Sequence, residues 1–84
     1  MRRKANILVT GVGGIVGQGI IKCLKMANAD ERSSVWYGII GANASLFAAG
    51  LYMVKKGVIV PKADDDKYIA SLTDIINRNK VSAV

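Results

Sequence analysis

Apolar and polar positions follow two alternating rhythms along this 84-residue chain. Asn6-Ile7-Leu8-Val9-Thr10 is a short, nearly unbroken apolar run, the pattern of a strand covered on both faces. From residue 15 to about 27 the spacing becomes helical, with Val16, Ile20, Cys23, Leu24 and Ala27 recurring at i, i+4, i+7, i+8 and i+11. That face is expected to point inward. Gly19 interrupts this helix at a cost of about 1 kcal/mol relative to alanine, which suggests close packing against a sheet. Residues 28–34 are polar and form a loop, and residues 35–41 make a second strand. A second helix is expected over residues 45 to about 55, with Leu46, Ala49, Gly50 and Met53 on one face and Asn43 or Ser45 as its cap. Residues 57–60 form a third strand that Pro61 stops. A third helix starts at Asp64-Asp65-Asp66 and runs to about residue 79, with Ile69, Leu72 and Ile76 inward. Residues 81–84 read as a fourth strand.

Strands separated by helices of this length require right-handed parallel crossovers. The expected fold class is therefore α/β, a doubly wound parallel sheet forming a Rossmann-like half with strand order 3-2-1-4. The loop after the first strand then falls at the switch between strands one and four. A last strand without a covering helix leaves an apolar edge open. Residues 1–84 are accordingly expected to be one Rossmann-like domain, incomplete, and part of a longer protein.

Composition narrows the function classes. Hydrophobic residues make up 51% of the chain, which suits a compact fold rather than disorder. Twelve Lys and Arg against six Asp and Glu give a net charge of +6, a balance that suits anionic ligands. The basic residues are scattered and no aromatic residues interleave them, so nucleic acid is not the expected partner. Cys23 is the only cysteine, which forbids an internal disulfide and fits a reducing, cytoplasmic setting. Its place on the helical face predicts a buried thiol. There is no histidine, so the commonest general base and metal ligand is missing. Arg2-Arg3-Lys4, the apolar run behind it and Ala27-Asn28-Ala29 imitate a secretory leader, but Lys22 and Lys25 interrupt the pattern. No run approaches the ~18 apolar residues of a membrane span, so no membrane partner is expected.

The candidate chemistry lies in Gly11-Val12-Gly13-Gly14-Ile15-Val16-Gly17. A glycine-rich turn between a strand and a helix brings backbone N–H groups close to an anion. Gly11, Gly14 and Gly17 fit G-x-x-G-x-x-G, while Val16 breaks the standard G-x-G-x-x-G. Gly11, Gly13, Gly14 and Ile15 are thus candidate ligand-binding residues, with the amides of Gly13, Gly14 and Ile15 facing a carboxylate or phosphate. The plainer alternative is that the glycines only permit a tight turn and close packing. Asn43 is a further candidate ligand-binding residue: it follows strand two, where nicotinamide-dependent Rossmann proteins usually keep an acid for the ribose hydroxyls, and its amide can bond a hydroxyl or carboxylate but supplies no charge. Tyr52-Met53-Val54-Lys55-Lys56 matches Y-x-x-x-K by coincidence, and Lys55 and Lys56 are expected to offset a helix dipole. The three aspartates are expected to cap a helix rather than hold a metal.

Residues 6–14 and the run from Gly17 to Lys22 resemble the start of carbamoyl-phosphate-synthase-like ATP-grasp proteins. Ile40-Gly41-Ala42-Asn43, Ala48-Ala49-Gly50-Leu51-Tyr52, Val60-Pro61-Lys62 and Tyr68-Ile69 extend the resemblance in order along the chain. It corresponds to the family's pre-ATP-grasp domain. The resemblance implies a ligase that activates a carboxylate with ATP and magnesium and transfers it to an amine. Nucleotide and metal would be held mainly by the remaining ATP-grasp domains, and this module would face a small anionic substrate. No catalytic residue carries over, and the family often has Asp where Asn43 stands. The alternative reading is the NAD(P)-binding half of a Rossmann reductase or epimerase. Either leaves a homo-oligomer open.

Overall fold

The computed structural model describes residues 2–45 and 48–84. The chain runs β1 (Arg3–Thr10), α1 (Ile15–Ala29), β2 (Val35–Asn43), a single 3-10 turn at Ala49–Tyr52, β3 (Lys56–Ile59), α2 (Tyr68–Asn79) and β4 (Val81–Ala83). The four strands are all parallel in the order β3-β2-β1-β4, the order expected of a doubly wound Rossmann-like half. β1 and β2 form the spine, in register from Arg3 opposite Val35 to Thr10 opposite Ala42. Among the described residues no helix is long and apolar enough to cross a membrane.

The pleat sends successive side chains to opposite faces, so Leu8 and Val9 enter different cores. Leu8, Ile40, Ala42 and Val60 pack with Ile75 of α2 on one face. Val9 and Val12 pack with Ile21 of α1, Ala48 and Leu51 on the other.

α1 is rotated from the face expected of it. Gly17 and Ile21 are buried in place of Val16, which is 77% exposed, and of Ile20 and Cys23, which face outward, while Leu24 and Ala27 are half-buried on the expected side. The cause is backbone contact at the helix start. A Cβ on Gly17 would stand 2.6 Å from the Gly11 carbonyl oxygen, so that side of the helix must meet the preceding loop. The buried face then follows at i+4 and i+7. Gly19 meets open space and marks no close packing.

The second helix expected over residues 45–55 is replaced, within the described residues, by the 3-10 turn and bends at 53–55. Leu46, one of its expected inward residues, lies outside the described residues. The Gly50 amide donates to the Val12 carbonyl at 3.2 Å instead of continuing a helical ladder. Lys55 therefore has no helix terminus to offset. α2 starts at Tyr68, not at the aspartates, because Asp65 is used in the preceding turn: its carboxylate accepts from the Lys67 amide at 2.8 Å and its carbonyl from Tyr68 at 3.1 Å. Ile75, not Ile69, is the buried anchor of α2. The helix ends at Lys80, which adopts φ +50° and donates its amide to the Ile76 carbonyl.

β3 begins opposite Ile40, so the first half of β2 has no strand beyond it. Two side chains close this stretch. The Asn28 carboxamide donates to the Tyr37 carbonyl at 2.8 Å and accepts from its amide at 2.7 Å, as a neighbouring strand would. The Ser33 hydroxyl does the same for Val35, donating at 2.9 Å and accepting at 3.3 Å. Nearby, Arg2 donates to the Asn28 and Asp30 carbonyls at 2.6 and 2.9 Å, which ties the start of β1 to the end of α1. The Arg32 guanidinium and amide hold the Asp30 carboxyl below its usual range.

Two outcomes follow in urea denaturation. Gly17→Ala lowers stability by about 1–3 kcal/mol through the clash with the Gly11 carbonyl, whereas Gly19→Ala raises it by up to about 1 kcal/mol. Asn28→Ala costs about 1–3 kcal/mol and promotes self-association measurable by light scattering, because it uncovers the Tyr37 backbone on a free edge.

Candidate functional site

The carboxyl ends of the strands carry the candidate site, and the loop from β1 to α1 is its centre. Gly11 leaves the strand at φ +63°, the left-handed conformation that favours glycine. Val12 then turns fully inward, and its main chain is held from both sides: its amide donates to Ala42 at 3.3 Å and its carbonyl accepts from Gly50 at 3.2 Å. A Cβ on Gly50 would approach the Val12 carbonyl oxygen to 2.1 Å, so no other residue allows this seat. Gly14 caps α1 in an extended conformation, without a side-chain hydrogen bond.

These constraints bring Gly11, Gly13, Gly14, Ile15 and Asn43 together at one end of the sheet. Their amides are not equivalent. Gly13 donates to the Asn43 carboxamide oxygen at 3.2 Å, and Gly14 donates to the Gly11 carbonyl at 3.1 Å. Gln18 closes the loop from the helix side by donating to the Gly13 carbonyl at 3.2 Å. Among the described residues no acceptor reaches the Ile15 amide, and its side chain is 91% exposed. Ile15 is thus an open donor beside the loop, at the positive end of the α1 dipole. Asn43 acts here as a brace on Gly13.

A shallow cavity of about 230 Å³ lies beside the loop, between Thr10, Gly11, Asn43, Pro61 and Tyr68. Lys62 is the only charged residue on its wall, so an entering anion meets one cation and no carboxylate. Among the described residues no three His, Cys, Asp or Glu side chains group to hold a metal ion. The sequence singled out the glycines and Asn43 but passed over Val12, Gly50 and Gln18. Only an apolar residue between glycines hinted at Val12; nothing local signalled Gly50, which acts across the fold, or Gln18, which reaches back five residues to Gly13. Lys56, the lysine of the Y-x-x-x-K string, lies on β3 and donates to the Asn79 side chain.

No family model matches the chain, and no curated protein matches it either.

Proposed function

We propose that the carboxyl edge of this sheet seats the carboxylate or phosphate of a small substrate at the first turn of α1. In this reading the chain is the N-terminal, substrate-side module of an ATP-dependent carboxylate–amine ligase of the carbamoyl-phosphate-synthase-like type. The observation that carries the reading is the Ile15 amide, without an acceptor among the described residues and beside a loop fixed by Val12 and Asn43. An oriented backbone donor at a helix start attracts an anion without a charged side chain. The ordered run of matching segments from residue 6 to residue 69 supports the family assignment.

ATP and magnesium belong to the remaining ATP-grasp domains in this reading. The residues here do not suit them: the Gly13 and Gly14 amides have internal acceptors, and among the described residues no three carboxylate or other metal-ligating side chains group to hold a cation. The module binds and orients the substrate anion and contributes no catalytic group. A nicotinamide dinucleotide is the second reading, favoured by the G-x-x-G-x-x-G spacing at the strand-order switch. Asn43 weakens it, since it carries no charge and already accepts from Gly13.

Nuclear magnetic resonance titration of the labelled chain with acetate and with inorganic phosphate tests the proposal. The Ile15 and Val16 amides shift saturably, and Gly14→Val weakens that binding about fivefold or more. Its stability falls by no more than about 1 kcal/mol, because the extended conformation of Gly14 suits valine and its Cβ would meet only the Gly11 carbonyl, at 3.6 Å. Equal losses of binding and stability would reduce the loop to a packing element. Tighter binding of NAD or NADP at the same amides would select the second reading.

A further inference from the structure

We infer that a second ligand cleft lies at the amino-terminal end of the sheet, and that it takes a small aromatic phosphate ester. The cleft is created by a step in the sheet. β3 begins only opposite Ile40, leaving the first half of β2 open beneath Lys55 and Lys56. The resulting cavity is about 710 Å³, within the range that holds small organic ligands. It is some three times the volume of the cavity of about 230 Å³ at the carboxyl edge.

Charge selects the ligand. Lys4, Lys25, Lys55 and Lys56 all line the cleft, and no Asp or Glu does. The ion pairs formed among the described residues, Arg32–Asp30 and Arg78–Asp74, use none of these lysines. Lys25 donates to the Met53 carbonyl and Lys56 to the Asn79 side chain, both neutral acceptors. Each ammonium has three donors, so these bonds leave most of the capacity free. Four like charges around one cavity repel one another, and a multiply charged anion relieves that repulsion. Lysine binds phosphate well as a point charge.

The rest of the lining selects the uncharged part. Trp36 from one face of β2, and Ile39, Met53 and Val54 from the other, flank the open edge with apolar groups between the lysines. Trp36 is 46% exposed, and the Arg2 guanidinium lies 5.7 Å from its ring centroid, which fixes the indole at the rim. A flat ring suits this surface. A peptide strand does not, because Asn28 and Ser33 already occupy the outward backbone groups of Tyr37 and Val35. The site is independent of the carboxyl edge and of the function proposed there.

Trp36 is the only tryptophan, so its fluorescence reports on the cleft directly. The whole chain is titrated with phenyl phosphate at about 0.15 M ionic strength, alongside phenol and inorganic phosphate. Phenyl phosphate produces a saturable change, with at least about tenfold weaker binding of phenol and of inorganic phosphate. Lys4→Gln combined with Lys55→Gln weakens phenyl phosphate about tenfold or more. Lys22→Gln combined with Lys67→Gln removes the same charge away from the cleft and changes binding less than about twofold. Amide shifts fall on Gly38 and Asn28 and spare Ile15. The inference is overturned by a non-saturable response, by equal weakening in both double variants, by phenol binding as tightly, or by shifts centred on Ile15.

Discussion

Val12 joins the glycine loop to the rest of the fold through its side chain, its amide and its carbonyl together. The side chain is fully buried, the amide is held by Ala42 of β2, and the carbonyl by Gly50. A residue pinned at all three points cannot rotate, so the path of the chain into α1 is fixed before the helix begins. Gly17 must then pass against the Gly11 carbonyl, and this sets which side of α1 meets the sheet. The same pin acts on the segment after β2. Gly50 gives its amide to Val12 and so leaves that segment as a 3-10 turn rather than a helix.

The strands were legible because their apolar runs are short, bounded and covered on both faces, as parallel strands are. Their order followed the doubly wound Rossmann pattern, which does not depend on any single residue. Helix faces were harder. In α1, Val16, Ile20, Cys23 and Gly17, Ile21 are both apolar or small sets at helical spacing, and Leu24 continues either of them, so periodicity alone could not choose. A backbone contact chose. In α2 the local pattern offered Ile69, but the start of the helix moved to Tyr68 because Asp65 was taken by the preceding turn, and Ile75 became the anchor.

The candidate site was legible in position and less so in chemistry. Glycines after β1 and an amide residue ending β2 must lie side by side once those strands pair in parallel. Which amides stay open is a tertiary property. Asn43 is 30 residues from Gly13 in sequence, and its acceptance of the Gly13 amide follows only from the register of the two strands. The same register makes Asn43 a brace, a role that neither helix capping nor ribose binding suggests.

Neutral amides and cations share the side-chain bonding between distant parts of the chain, and the cations Arg2, Lys25 and Lys56 donate there to uncharged oxygens. Asn6 donates to the Asn79 carbonyl, Asn28 seals Tyr37, and Asn43 braces Gly13. Carboxylates, by contrast, pair only with near neighbours in sequence, as Asp30 with Arg32 and Asp74 with Arg78, at exposed positions where such pairs add little. Cohesion therefore rests on apolar packing and on hydrogen bonds whose acceptors are uncharged. The positive charge, in excess by six, is not neutralised by those bonds, because no carboxylate accepts from Arg2, Lys25 or Lys56 in them. Where four lysines gather around one cleft without an acid, that unspent charge has an approaching anion as its natural counterpart.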